Sequence, residues 1–205
     1  HSTTNYMCYK GLYSSFNCMN MFEIIHSLLQ QFGPEEWTRY KGKHFLSFVD
    51  NHDVTRIASI LSNPNHLPLI YALLFGMPGI PCVYYGSEWG EKAEKSQGDP
   101  ALRPCFDKPI YNELSAYISK LSEIKKNTLP LNYGDFSSVV LTNKQCIFKR
   151  SYENTDVYVA INADENNFCC NFHCNTDIVT DLITGEEFQM NCEFEMKGYR
   201  AYILK

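Results

Sequence analysis

The chain carries no long hydrophobic run: nothing in its 205 residues approaches the ~18 consecutive apolar residues of a membrane span. No membrane partner is expected. Basic runs are equally scarce, with none longer than Lys125-Lys126, and 18 Lys and Arg against 23 Asp and Glu leave a formal net charge of -5. That supplies no footprint for a phosphate backbone or anionic lipid, so no nucleic-acid partner is expected either. Residues 1 to 20 lack the basic start and apolar middle of a secretory signal. Repeats and low-complexity segments are absent, and Ser14, Ser15 and Ser47 lack the Gly-x-Ser-x-Gly elbow that would expose a nucleophile. What is present is 44% apolar residues with 14 Tyr, 13 Phe and 2 Trp, enough to bury one core and part of a second in a soluble globular protein.

Nine cysteines, at 8, 18, 82, 105, 146, 169, 170, 174 and 192, form an odd set in a chain too large to need disulfide staples. Reduced thiols in a reducing, cytoplasmic compartment are expected. The cluster Cys169-Cys170-Asn171-Phe172-His173-Cys174 invites a zinc reading. Strand alternation puts Cys170 and Cys174 on one face and Cys169 and His173 on the other, so no metal site is expected there.

The hydrophobic period changes near Thr128-Leu129-Pro130. Before it, short apolar runs alternate with helical patterns. The run Asn5 to Lys10 reads as a strand, followed by a helix over Met19 to Phe32. Phe45 to Val49 reads as a second strand, with helical stretches at Val54 to Leu61 and Leu67 to Phe75. Cys82 to Tyr85 reads as a third, and Asn112 to Lys126 as a closing helix. Strand-then-helix units of this kind belong to a parallel sheet covered on both faces. From Ser137 onward the pattern is of short strands between turns: Ser137 to Thr142, Gln145 to Tyr152, Val157 to Asn162, Phe168 to Cys174, Ile178 to Leu182 and Tyr199 to Leu204. The expected fold class is therefore α/β over residues 1–129, followed by an antiparallel β-sandwich over residues 130–205.

In parallel α/β architectures, loops leaving the C-terminal ends of strands share one face, and ligands bind there. Here those loops are Asp50-Asn51-His52-Asp53 and Gly86-Ser87-Glu88-Trp89-Gly90. Two carboxylates, an imidazole and an amide within four residues suit sugar hydroxyls and a positively charged transition state. The plainer reading makes Asp53 the cap of a helix starting at Val54 and leaves Asp50 solvated. Glu88 divides between a loop hydrogen bond and a substrate contact; Trp37 and Trp89 could each stack on a sugar face, with Trp89 on the functional rim. His26 and His44 read as surface or internally satisfied histidines.

Phe48-Val49-Asp50-Asn51-His52-Asp53 resembles the fourth conserved region of the α-amylase family of glycoside hydrolases, at the end of the seventh barrel strand. Gly76 to Glu88 resembles the family's eighth strand with its Gly/Pro-rich approach. Asp99-Pro100-Ala101-Leu102-Arg103-Pro104 resembles the active-site loop after it, and Asn5 to Ser15 the sixth strand and its exit. The resemblance implies a partial (β/α)8 TIM barrel, its last three β/α units, followed by the β-sandwich known as domain C. By position, Asp53 resembles the third catalytic carboxylate, which binds sugar O2 and O3, and His52 the histidine on the same hydroxyls. Asn51, Glu88, Trp89, Asp99 and Arg103 join them as substrate-binding candidates.

The family's retaining mechanism pairs a nucleophilic carboxylate ~5 to 5.5 Å from a general acid. Its nucleophile lies in a Gly-x-Arg-x-Asp pattern after strand four, and its acid is a Glu after strand five. None of Arg39, Arg56, Arg103, Arg150 and Arg200 is followed two residues on by Asp. Strands one to five would precede residue 1, so the chain is expected to be an inactive C-terminal part of an enzyme acting on α-1,4-glucans or maltooligosaccharides. No cofactor is implied. The expected partners are an α-glucan oligosaccharide and either the missing N-terminal barrel half or a second copy, because three parallel strands alone would leave Phe45 to Val49 and Cys82 to Tyr85 facing water. Two rivals are a non-catalytic amylase-like protein, against which Asn51-His52-Asp53 argues, and a carbohydrate-binding module over residues 130–205, whose aromatics follow strand alternation and read as core.

Overall fold

The computed structural model describes residues 2–190 and 193–205, so Cys192 lies outside the described residues. The first helix, α1 (Tyr6–Asn17), occupies the segment read as a strand from Asn5 to Lys10. The Asn5 side chain caps it by accepting from the Cys8 N–H at 3.2 Å, and Cys8, Leu12 and Phe16 bury one stripe four residues apart. The segment Asn5 to Ser15, which resembles the sixth strand and its exit, is therefore helical from Tyr6 on, and the parallel pairing falls on Thr4, just before it. Leu46 N donates to Thr3 O and Asn5 N to Leu46 O, a parallel bridge pairing Thr4 with Leu46.

Helix α2 (Phe22–Phe32) falls where the apolar period places it and buries Ile24, Ile25, Leu28 and Phe32. Next come β1 (Leu46–Phe48), α3 (Ile57–Ile60), α4 (His66–Gly76) and β2 (Ile80–Cys82). The two strands pair in parallel, with Phe48 opposite Cys82. Strand β2 begins two residues earlier than Cys82 and ends there, so Val83 to Tyr85 form its exit. Gly79 sets its start: φ is +108°, and a Cβ there would lie 2.7 Å from Phe45 O. Helix α3 is only the last part of the stretch Val54 to Leu61.

Strand β1 does not meet water as expected. Phe48 and Val49 are buried, and Tyr6 and Tyr9 close over the Phe48 ring at 5.0 and 5.1 Å. The exposure falls on β2 and its exit, where Ile80 is 47% and Tyr85 42% accessible. Helix α4 is apolar all round and buried from Leu69 to Gly76, as suits a central element.

The short α5 (Asp99–Leu102) precedes α6 (Glu113–Asn127), which Asn112 caps, and α7 (Leu129–Tyr133). Then follow β3 (Asp135–Leu141), β4 (Gln145–Tyr152), β5 (Thr155–Asn162), β6 (Phe168–Cys170), β7 (Ile178–Thr180), β8 (Glu187–Gln189), β9 (Phe194–Met196) and β10 (Arg200–Leu204). An antiparallel sheet runs β10-β5-β4-β3, flanked by the pairs β6-β9 and β7-β8. Period-2 alternation divides this sheet between two cores. Phe148, Val159, Ile161 and Ile203 join α1, α2, α4 and α6 in the larger core. Ile147, Tyr158, Ala160 and Tyr202 face Phe194, Met196 and Val179 in the smaller one. The larger core therefore runs continuously across residue 129, and the aromatics Phe136, Phe148, Tyr158, Phe194 and Tyr202 are buried in packing. Gly76 permits the close approach of α4 to β5, since a Cβ there would meet both Val159 methyls at 2.8 Å.

Eight described cysteines are free thiols. Among the described residues no three His, Cys, Asp or Glu side chains converge as a metal site, and no helix is long and apolar enough to cross a membrane.

Candidate active site

The chain leaves β1 through Val49 into Asp50, which is 1% exposed. Its Oδ2 accepts from the Ile57 N–H at 2.8 Å, and both carboxylate oxygens lie 2.8 Å from Ser87 Oγ. Asp50 thus caps α3 from seven residues upstream and ties the exit of β1 to the exit of β2. Burial pushes its carboxyl above the usual range, against the pull of the Ile57 N–H, the Ser87 hydroxyl and the Arg56 charge. The plain alternative of a solvated Asp50 and a helix-capping Asp53 is therefore corrected: the cap is Asp50, because it is the carboxylate that points inward.

Arg56, missed in the sequence reading, is fully buried. Its Nη1 donates to Tyr85 O at 2.7 Å and Ser87 Oγ at 3.0 Å, and its Nη2 to Leu102 O at 3.0 Å. The guanidinium also lies 4.2 Å from the Tyr84 ring centroid. One side chain after β1 therefore holds the β2 exit and the end of α5.

Above this buried layer sits an exposed one. The Asn51 side chain accepts from Asp53 N at 2.8 Å and donates to Tyr6 Oη at 3.2 Å, turning the loop outward. His52 Nε2 stands 3.1 Å from Asp53 Oδ2, each side chain about half exposed. Arg103 bridges two carboxylates, with Nη2 3.2 Å from Asp53 Oδ1 and Nη1 3.2 Å from Asp99 Oδ2. The structure thus brings together Asn51, His52, Asp53, Asp99 and Arg103, from loops 50 residues apart. Such a row of acceptors and donors on an open surface can hold vicinal hydroxyls, with a carboxylate free to face developing positive charge.

Glu88 and Trp89 are placed differently. Glu88 Oε2 is buried without a hydrogen-bond partner, and its charge bears on Asp50 and Tyr71 in the buried layer. Trp89 packs edge-on against Phe106 at 4.9 Å and lines a separate cavity of about 630 Å³ with Leu61, Leu67, Lys92 and Glu113. None of the Asp53 cluster lines that cavity. The sequence signal for the buried layer was slight: Ser87 stands between Gly86 and Glu88 and Arg56 between Thr55 and Ile57, and nothing local marks either as buried.

A family model described as the α-amylase catalytic domain matches residues 10–158. Curated relatives include a cyclomaltodextrin glucanotransferase of Geobacillus stearothermophilus, 28% identical over 60% of this chain and 17% of that protein. An α-amylase of Niallia circulans is 31% identical over 58% of this chain and 22% of its own length. Among solved structures, the α-amylase of Geobacillus thermoleovorans in complex with acarbose superposes with a TM-score of 0.82 at 16% identity, covering 98% of this chain and 47% of that one. The chain spans less than a quarter of those curated relatives and about half of that structure. The family model covers well over half of the chain, and the chain belongs to the α-amylase family.

Proposed function

We propose that this chain is the C-terminal part of a longer, retaining α-amylase-type enzyme acting on α-1,4-glucans or maltooligosaccharides, and that it is inactive by itself. Residues 1–129 supply the last three β/α units of the barrel and residues 130–205 the sandwich that follows. The observation that carries the reading is the Arg103 bridge between Asp53 and Asp99, beside His52, on loops leaving adjacent parallel strands. Asp53 acts as the carboxylate that grips O2 and O3 of the sugar at the reacting centre and tightens as the ring distorts. His52 and Asn51 complete that grip, and Asp99 and Arg103 extend it along the glucan. The nucleophile and general acid come from the barrel strands that precede this chain, as does most of the discrimination between hydrolysis and transfer. Relatives named as an amylase and as a glucanotransferase leave both outcomes within the class. The free thiols fit a reducing, cytoplasmic setting.

The test has two arms. Purified chain is expected to show no turnover of maltotetraose, because one of three cooperating carboxylates cannot form a glycosyl-enzyme intermediate. In the enzyme extended by its upstream sequence, Asp53→Asn is expected to lower kcat by roughly 10² or more, the loss of ~3 kcal/mol of transition-state contact. An extended mutant keeping more than half the parental rate refutes the role given to Asp53.

A further inference from the structure

Trp89 stands apart from the Asp53 cluster, in surroundings that make a site of their own. The cavity of about 630 Å³ that it lines opens where four segments meet: the end of α3, the start of α4, the exit of β2 and the start of α6. Leu61, Leu67 and Leu114 give it apolar walls. Those walls are fixed to one another. Asn112 Nδ2 donates to Trp89 O at 3.0 Å and Ser115 Oγ to Glu88 O at 3.0 Å, tying the segment that carries Trp89 to the first turn of α6. The indole N–H donates to Glu91 Oε2 at 3.4 Å and Phe106 packs against the ring at 4.9 Å, nearly perpendicular, so the indole is held in one orientation. A platform held in this way loses little freedom when a ligand is laid on it.

Three exposed polar side chains, Ser62, Lys92 and Glu113, stand on the same walls. Among the described residues Lys92 and Glu113 form no ion pair within 4.0 Å, with each other or with any other group. Ser62 donates its backbone N–H to Asn17, which leaves the hydroxyl to the cavity. This composition selects the chemistry of a ligand. One cation and one carboxylate offset each other, so the cavity favours neither an anion nor a cation. An apolar ligand would cover three polar groups and leave them unsatisfied. The volume lies within the ~300–1,000 Å³ of small-molecule sites, whose walls are likewise apolar with a few polar groups that orient the ligand. A pyranose meets these conditions: it is neutral, carries hydroxyls at several angles, and has a C–H face that lies flat on an indole. We propose that this cavity is a second, non-catalytic binding site for an α-1,4-glucan oligosaccharide, one ring laid on Trp89 and its hydroxyls held by Lys92, Glu113 and Ser62. None of Asn51, His52, Asp53, Asp99 and Arg103 lines it, so it binds without taking part in the chemistry. That the ligand is a sugar rests on the cavity; that it is an α-1,4-glucan rests on the function proposed above.

Calorimetric titration with maltoheptaose tests the site on the purified chain carrying Asp53→Ala, which disables the exposed cluster and leaves the cavity intact. Saturable binding is expected there, and Trp89→Ala added to that chain should weaken it by roughly tenfold or more. Lys92→Met and Glu113→Gln change exposed side chains outside the core and should each weaken binding by about three- to tenfold; these two decide if Trp89→Ala does not fold. Absence of binding to the Asp53→Ala chain, or binding that all three further substitutions leave unchanged, overturns the site. Binding seen in the unaltered chain and lost with Asp53→Ala places the sugar on the exposed cluster: that result overturns the second site and leaves the role of Asp53 standing, since the kcat of the extended enzyme tests that role without reference to the cavity. Cellohexaose, the β-1,4-linked counterpart, is expected to bind the Asp53→Ala chain more weakly than maltoheptaose, and equal affinity overturns the assignment to α-1,4-glucans.

Discussion

Replacing Arg56 by Met tests whether the buried layer or the exposed one holds the strand-exit loops together. The guanidinium satisfies Tyr85 O, Leu102 O and Ser87 Oγ, and its charge pulls against the rise that burial imposes on the Asp50 carboxyl. Methionine keeps most of the stem but none of the donors. Two carbonyls lose a buried partner at ~1–3 kcal/mol each, and Asp50 loses its favourable neighbour. Relief of the guanidinium's own desolvation offsets part of this, leaving a net loss of about 3 to 5 kcal/mol, the range for breaking a buried charged network by removing one member. With a urea m-value of ~2 kcal/mol/M, the unfolding midpoint should fall by about 2 M. Far-UV circular dichroism at fixed protein concentration reads it. Arg56→Lys, which keeps the charge but cannot fork to three acceptors, should fall in between. Asp53→Asn breaks ion pairs whose side chains are about half exposed, and solvent screening limits that to within about 1 kcal/mol, or half a molar. A midpoint for Arg56→Met within 0.5 M of the unaltered chain, or a larger loss in Asp53→Asn than in Arg56→Met, refutes the division into a holding layer and a ligand layer.

Asp50→Asn should change how stability depends on pH. Burial raises the folded carboxyl above its unfolded value of ~3.9, so the folded state keeps a proton that the unfolded state has released. That stabilisation is present in full below about pH 4 and is lost as pH rises through the folded value; the asparagine variant should lack this decline, and a constant difference between the two proteins from pH 4 to 7 would count against it. Cys8 and Cys146, whose thiols burial pushes up to about 12, should resist a thiol reagent until the chain unfolds, while exposed Cys18, Cys105 and Cys169 react at once. Mass spectrometry of the labelled peptides checks the order, and native-state labelling of Cys146 would contradict its packing. Light scattering should give a species heavier than 23.7 kDa, since Ile80, Tyr85, Ile110 and Tyr111 leave apolar surface along and beyond the open side of β2; a monodisperse monomer with a cooperative melt would show that the exposed edge is tolerated.

How far the fold was legible depended on the length over which each pattern ran. Helices α2 and α6 carry apolar residues every three to four positions for three turns or more, and both lie where that period puts them. Over Asn5 to Lys10 the window is too short: Tyr6-Met7-Cys8-Tyr9 is a continuous apolar run that reads as a buried strand, and only the extension to Leu12 and Phe16 shows the helical stripe. Strand β2 is offset from Cys82–Tyr85 because Pro81, which has no N–H to donate, sits inside it opposite Ser47, on an edge where the lost bond is tolerated. The sandwich reading located the three long strands β3 to β5 well, but β8 and β9, three residues each, are too brief to alternate visibly. Sequence also gave no sign that the sheet would share its larger core with α1, α2 and α4, since period 2 reveals that two faces exist and not what covers each.

The exposed cluster was legible in two ways: Asn51, His52 and Asp53 are polar residues at a strand exit, where few packing roles compete for them, whereas Asp99 and Arg103 stood out only through the resemblance to the α-amylase family's active-site loop. The buried part was not, because nothing local distinguishes Asp50 from Asp53, three residues on. What separates them is tertiary. Asp50 meets the Ser87 hydroxyl and the N–H of Ile57, whereas Asp53 meets only side chains that water also reaches. A carboxylate that must bind a passing sugar has to keep its oxygens available, and one that must hold a loop has to spend them on fixed donors. The same four-residue segment supplies both because Asn51 turns the chain between them, accepting from Asp53 N while it reaches Tyr6. Exchanging the two carboxylates' surroundings would require moving Ser87 and Arg56, residues that come from a different loop and the start of a helix, and a sequence window of any modest length contains one without the other.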